Sequence, residues 1–415
     1  MINLKALINL VSIDDAIERL AMALDKTIVL DVEELTILNS VNRILAEDIY
    51  AEIDRPEVDV TAVDGYAVRS IDTVGASQYN PLELSIVGVL KPGQKPLEKC
   101  LDPGTAIRVH TGAPIPCGAD AVVMDEDISI SKDHLVIYKP VPQGLNIIRR
   151  GEDFARGDLL AHKGSVIKPS IIAALTASGI SRVRVYRKIN VSVLAVGDEL
   201  VEPGEEHVEG KTYNSTAYIV YSLLQRDGLF DVNYVGIVPD DSRELEEAVA
   251  REISKGADLV ITTGGTGVSE SDVVYYLIKR GEQVFRGVRM RPGRPTSSFI
   301  YGNKLIMCLS GFPVAAWTGY EVLLRRAIMK WLNIRGFERR VVNALLTRRI
   351  PNTVGYSSVI RVKVHLDKGV YFAEPYMLRG SGVISSLLRT NGYVIIPESV
   401  EGYEKNTPVQ VYLYD

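Results

Sequence analysis

From Lys188 onward the chain settles into an alternation that leaves few folds open. INVSVLAV (189–196) is an unbroken apolar run of strand length, and residues 213–226 carry helical spacing. VNYVGIV (232–238) reads as a strand, SRELEEAVAREISK (242–255) as a helix and ADLVITT (257–263) as a third strand; a glycine-rich turn and a helix through VVYYLIKR follow. Strands separated by whole helices cannot pair as hairpins, so they form a parallel sheet covered on both faces. SSFIYGNKLIMCLS predicts a β-hairpin, and a long helix over 314–332 closes the unit.

The flanks are of a different kind. DDAIERLAMALD (14–25) places Ile17, Leu20, Ala21 and Leu24 on one helical face, with Asp14 or Asp15 as the expected cap. Roughly 28–165 consists of short apolar runs broken by turn signals such as LKPGQKP, DPGTA and VPQGLN, which predicts β-rich modules. Residues 171–178 read as a short helix ended by Gly179. Beyond Gly336 helical spacing stops, and SSVIRVKV, GVYFAEP, GYVIIP and PVQVYLYD predict a small barrel or sandwich. With 415 residues, about 150 per domain predicts roughly three domains.

Composition removes several function classes. Lys+Arg 47 against Asp+Glu 52 leaves a net charge of −5, which argues against a dedicated nucleic-acid binder. No stretch approaches the ~18 uncharged apolar residues of a membrane span, and the start, MINLKALINLVSIDDAIERL, lacks the pattern of a signal peptide. A soluble cytoplasmic chain is expected. Cys100, Cys117 and Cys308 are odd in number and widely spaced, which speaks against a disulfide framework or a zinc knuckle. The five histidines show no HxxxH pairing, and GxSxG is absent, so metal-hydrolase and serine-hydrolase readings are weak.

In open parallel sheets, ligands bind beyond the carboxyl ends of the strands. Three such ends are rich in polar groups here. GDELVEPGE presents Asp198 and Glu199, PDDS presents Asp240 and Asp241, and TTGGTGVSESD opens a helix. In the last of these, Gly264, Gly265 and Gly267 let the backbone approach an anion while Thr266 and Ser269 add hydroxyls. Ser269 and Asp272 also read as a capping box, and the turn alone fits phosphate binding and a plain tight turn equally. Carboxylates converging on a phosphate cradle require a hard cation. Mg²⁺ takes one or two carboxylates plus phosphate oxygens, which makes Asp240 and Asp272 the preferred ligands, with Asp241 beside them and Glu199 as an orienting or acid/base group. RMRPGRP (289–295) groups Arg289, Arg291 and Arg294 in a turn suited to oxyanions or simply to solvent. SGFPVAA (310–316) precedes a helix whose N-terminus is a further candidate anion cradle.

Together with VDGYA (63–67), TGAPIPCGADAVVM (111–124) and RRGED (149–153), these segments resemble the molybdopterin molybdenumtransferase family, to which the E domain of gephyrin belongs. VGDEL (196–200), TTGGTGVSESD (262–272), RPGRP (291–295) and GFPVAA (311–316) continue the match in order, over nearly the whole chain. The resemblance implies a multidomain α/β fold: a central three-layer α/β module with a parallel-rich sheet, flanked by β-rich N-terminal domains and a small C-terminal β-barrel. The expected divisions are 1–48 with 146–187 as a discontinuous elongated domain, 49–145 as a β-rich insertion, 188–335 as the α/β molybdopterin-binding domain and 336–415 as the barrel. It also implies a homodimer that shares its active site, and small-molecule substrates. Adenylylated molybdopterin and molybdate or tungstate would be converted, with Mg²⁺, to molybdenum cofactor and AMP.

Carried over by position, Asp240 and Asp272 hold Mg²⁺ and phosphate, and 264–269 cradle the pterin end. Glu199 and Asp64 are the pocket's acidic residues, with Asp64 supplied by the partner, and Thr111 counts among the binding positions. Arg291 and Arg294 occupy the oxyanion positions, with Arg361 and Ser381 as additional contacts. The chain departs from the family's KPGKP by having Arg291 and Arg294, and from GNPVSA by having Phe312 and Ala315. Val60-Thr61 and Asn214-Ser215-Thr216 replace the usual polar pairs. An altered oxyanion preference, or a non-catalytic molybdopterin-binding scaffold, is compatible with these changes. The adenylyltransferase activity of the preceding step would need only the central module.

Overall fold

The computed structural model describes residues 10–95, 99–266, 273–376 and 380–414. Its centre is a six-stranded sheet. The spatial order is Phe230–Val238, Ile189–Val196, Leu259–Thr263, Lys304–Leu309, Ser297–Tyr301 and Glu282–Arg286; the first four strands are parallel and the last two antiparallel. Alternate residues supply two separate cores. Val191, Val193, Ile261 and Leu305 face a layer built from helices Ile13–Thr27, Thr216–Asp227 and the long C-terminal helix of this unit. Leu194, Val196, Val260 and Ile306 face helices Ser242–Ser254 and Val273–Arg280. Both faces are covered, which is why these strands read as unbroken apolar runs.

The helix Ile13–Thr27 is capped by Ser12, whose Oγ accepts the Asp15 N–H at 3.1 Å. The expected caps Asp14 and Asp15 instead lie within the first turn, where a carboxylate still favours the helix dipole. The long helix comprises Pro313–Thr318, one π-type stretch Gly319–Leu324, and Arg325–Trp331. The π-turn places a buried charge cluster against the C-terminal segment. Asp227, at the end of its helix, accepts the Tyr320 hydroxyl at 2.7 Å and Arg325 Nε at 3.0 Å. Glu321 accepts Arg339 at 2.6 and 3.0 Å and Arg226 at 3.2 Å.

Upstream, a curled six-stranded sheet (order Ala121–Met124, Gly65–Val68, Thr105–Val109, Leu82–Leu90, His134–Ile137, Ile128–Ser131) closes over Tyr66, Leu84, Leu135 and Ile137. The chain enters and leaves it through antiparallel pairs: Val60–Thr61 with Ile147–Ile148, Ile49–Tyr50 with Leu159–Ala161, and Val32–Thr36 with Arg182–Tyr186. Downstream, strands Ser357–Asp367, Val370–Pro375, Val341–Leu346, Pro408–Leu413 and Gly392–Ile396 pair in that order, and the last pairs back to the first. This is a closed five-stranded barrel, filled by Leu346, Val362, Ala373 and Ile396. Among the described residues no helix is long and apolar enough to cross a membrane.

One expectation is overturned. Cys100 and Cys117 are joined in a disulfide with Cα atoms 4.3 Å apart, while Cys308 is a buried core residue. The pairing has no spacing signature because the intervening segment runs out along the strand Thr105–Val109 and back. The Leu101 N–H then donates to the Cys117 carbonyl at 2.6 Å, setting the two side by side. With a sequence separation of 17 between the partners, removing the bridge as a double Cys→Ala variant should cost about 3 kcal/mol, read as a fall in the denaturation midpoint that a reductant reproduces in the parent protein.

Candidate active site

The carboxyl ends of Ile189–Val196 and Leu259–Thr263 and the start of the long helix meet at one cavity of about 860 Å³. Its floor exists because glycines cross there. Gly264 has φ +91°, and a Cβ on it would fall 2.2 Å from the Val196 carbonyl oxygen; a Cβ on Gly311 would fall 3.2 Å from Gly264 Cα. The Gly264 N–H itself is spent on the Leu309 carbonyl at 3.1 Å, so this glycine provides close approach rather than an anion donor. Glu199, Gly265, Thr266, Arg291, Arg294 and Ser381 also line the cavity.

Residues 380–384 reach the site from the barrel. The Val314 N–H, which begins the long helix after Pro313, donates to the Ser381 carbonyl at 2.9 Å. The helix start expected to cradle an anion is therefore occupied at this amide by the protein itself, and the bond fixes Ser381 at the cavity wall.

A second hollow of about 350 Å³ adjoins the first and shares Arg291, Pro292 and Ser381 with it. Arg361 lies here, 6% exposed, with Nε donating to Ser386 Oγ at 3.0 Å. Among the described residues no carboxylate pairs with it. Burial pulls its pKa below the ordinary arginine value, with Tyr414 and Tyr376 opposing, yet a guanidinium stays protonated. An interior cation without an acidic neighbour is a standing demand for an anion. Arg291 is held beside it, its guanidinium 4.0 Å from the Tyr356 ring centre and 3.4 Å from Thr353 Oγ1. Arg289, by contrast, is tied to Glu398 at 2.7 Å and takes no part.

The carboxylates divide into groups. Asp240 stands next to Asp198, whose Oδ1 accepts its N–H at 3.1 Å; burial first, then Asp198 and Glu199, raise its pKa above the usual carboxylate value. Asp241 Oδ1 is spent as the cap of Ser242–Ser254, accepting Arg243 and Glu244 N–H groups at 2.8 and 3.0 Å, which leaves Oδ2 as the oxygen it could offer a metal. Asp64 is held by Thr111, whose N–H and hydroxyl donate at 2.6 and 3.0 Å; the N–H is the main reason its carboxyl lies below the usual range. Neither Asp64 nor Thr111 lines the cavity of its own chain. Gly267, Ser269 and Asp272 lie outside the described residues.

Family profiles match in sequence order: "MoeA N-terminal region (domain I and II)" over 11–179, "Probable molybdopterin binding domain" over 192–330 and "MoeA C-terminal region (domain IV)" over 343–414. A molybdopterin molybdenumtransferase of Bacillus subtilis is 34% identical over 389 residues, covering 92% of this chain and 90% of its own. The chain belongs to the molybdopterin molybdenumtransferase family. A protein of the same name from Staphylococcus epidermidis is 34% identical over 376 residues, covering 90% and 89%. The crystal structure of the molybdopterin biosynthesis moeA protein of Pyrococcus horikoshii superposes with a TM-score of 0.83 at 32% identity, covering 98% of this chain and all of that one.

Within this molybdenumtransferase-family fold, sequence reasoning named Asn214 and Thr216 only as departures from the family pattern, without a role, and missed Asn352 altogether. Asn214, 1% exposed, donates to the Tyr234 hydroxyl at 2.7 Å and caps its helix through Ala217. Tyr234 in turn bonds Glu202. Thr216 Oγ1 donates to the Gly311 carbonyl at 2.6 Å and so joins two walls. In the barrel, Asn352 Oδ1 accepts the Ser358 hydroxyl at 2.6 Å in the hollow beside Arg361. The one available signal was the polar turn PNTVGY between two strands.

Proposed function

We propose that the protein inserts molybdate or tungstate into adenylylated molybdopterin, releasing AMP in a Mg²⁺-dependent reaction that yields molybdenum cofactor. The observation that carries this reading is the buried, acid-free Arg361 opening onto the same space as Arg291, Ser381 and the glycine-floored cavity. A doubly charged tetrahedral oxyanion satisfies that guanidinium, and Arg forks suit its geometry. The pterin end of the substrate lies over 264–266, with Glu199 placed to orient or exchange a proton. As the anhydride P–O bond breaks, fixed donors beside the leaving phosphate favour the charge that develops there.

Among the described residues no three metal-ligating side chains converge. Oxygen donors of the Asp240 kind still fit Mg²⁺, which needs only one or two carboxylates when phosphate oxygens and water complete its shell. Bound there, Mg²⁺ would offset the crowding of Asp198, Glu199 and Asp240 and neutralise phosphate charge. Mg²⁺ with a substrate nucleotide should then raise the melting temperature logarithmically with concentration, by the equivalent of about 2.7 kcal/mol at a hundredfold excess over Kd. In Asp240→Asn the metal-dependent part of that rise should vanish.

The active site is shared between two subunits of a cytoplasmic homodimer, with Asp64 and its Thr111 clamp reaching the partner's cavity. Mixing Asp64→Asn with Asp272→Asn subunits should restore part of the activity in hybrid sites. No restoration would mean that each site is built within one chain. The reading as a whole is tested by incubating the protein with adenylylated molybdopterin, Mg²⁺ and either oxyanion. AMP release supports it; molybdopterin binding without AMP release from any oxyanion would favour a scaffold.

A further inference from the structure

Three large apolar side chains line the mouth of the main cavity without being buried: Phe312 is 59% exposed, Ile384 40% and Tyr213 39%. A single exposed apolar side chain is ordinary, but three from separate segments around one concave site mark a ligand surface. Phe312 is also held in place. Its N–H donates to Ser310 Oγ at 3.3 Å, its carbonyl accepts the Ala316 N–H at 2.9 Å, and Pro313 follows it. The Cδ1–Cε1 edge of its ring packs on Gly382, where a methyl group would fall 3.3 Å from Cδ1. The Val314–Ser381 backbone bond keeps that glycine against it. The ring is thus oriented by its neighbours while more than half of the residue stays exposed at the cavity lining.

We infer that Phe312 is a stacking platform for a flat, fused-ring nitrogen heterocycle of the substrate, with Ile384 and Tyr213 closing the same mouth. The inference rests on the proposed function and adds a residue that grips a ring of the substrate, whereas the arginines grip the oxyanion. Such a ring belongs either to the adenine or to the pterin, and stacking is tolerant of which atoms it carries. Phe312 is a binding residue here and takes no part in bond breaking.

The test is calorimetric titration of the full-length protein with AMP, ribose 5-phosphate and 6-hydroxymethylpterin, using the parent, Phe312→Ala and Phe312→Tyr. Stacking on one aromatic ring predicts that Phe312→Ala weakens AMP or the pterin by roughly 5- to 150-fold. Ribose 5-phosphate should be unaffected, and Phe312→Tyr should bind like the parent. Loss for AMP alone assigns the adenine; loss for the pterin alone assigns the pterin. Equal binding of both rings by parent and Phe312→Ala would overturn the inference while the parent's AMP-releasing activity left the broader reading intact. Equal weakening of ribose 5-phosphate, or a shift from dimer to monomer on sedimentation without any change for the rings, would also overturn it. A parent that binds neither ring and releases no AMP would remove both.

Discussion

Arg361→Gln should reduce oxyanion-dependent AMP release by about 10²–10³-fold, the scale of losing one preorganised donor to a charged reaction centre, without lowering the melting temperature. Ordinarily, removing a buried charge is damaging because a partner is left behind. Here, among the described residues, the only side-chain hydrogen-bond partner is the Ser386 hydroxyl, and burial already works against the cation. Relieving it costs the fold little and can stabilise it, as expected where strain is kept for function. Arg361→Lys keeps the charge but not the fork, so it should recover only part of the activity. Parallel measurement of AMP release and melting temperature checks the prediction. Full activity in Arg361→Gln would show that the oxyanion sits elsewhere.

Asp227→Ala should behave in the opposite way, costing about 3–5 kcal/mol of stability, the usual consequence of breaking a buried ion pair from one side. Arg325 is 4% exposed and Tyr320 fully buried; the Tyr320 hydroxyl and the Arg325 Nε both donate to the Asp227 carboxylate, while Arg325 Nη2 donates to the Phe337 carbonyl. Arg339, 3.6 Å from Asp227 and bonded to Glu321, would be disturbed with them. Chemical denaturation followed by fluorescence reads the loss. Replacing Asp227 and Arg325 together by apolar residues should cost less than Asp227→Ala, because the most buried guanidinium is then not left unpaired, while Arg226 and Arg339 keep Glu321 as partner.

The parallel sheet was legible because its strands are apolar on both faces and its helices periodic, and the barrel because its short runs recur at even spacing. The glycine floor could be read only halfway. TTGGTG announces a backbone that comes close to something, but that the something includes Val196 and Gly311 of the protein itself depends on tertiary packing. Arg361 carries no local signal: within SSVIRVKV it is one basic residue in a strand, and only the family resemblance singled it out. Its meaning depends on burial among groups from distant segments. The occupied Val314 amide and the Cys100–Cys117 bridge were hidden for the same reason, since each partner is brought in by a loop whose path no short-range pattern encodes. Asp241 could be read in sequence as a cap or a ligand, and its two accepted N–H groups show the cap, made through Oδ1.

On the proposed function, the backbone bond from Val314 to Ser381 joins what would hold a nucleotide-like tail to what completes the oxyanion pocket, two stretches of polypeptide that meet only when the C-terminal part is present. A fragment ending after the long helix would keep the glycine crossing, Glu199, Arg291 and Arg294, yet would lack Ser381, Arg361 and the Gly382 rest for Phe312. Evolution could therefore reuse such a fragment for handling the tail alone, and acquiring the barrel would be the event that turned a holder into an inserter.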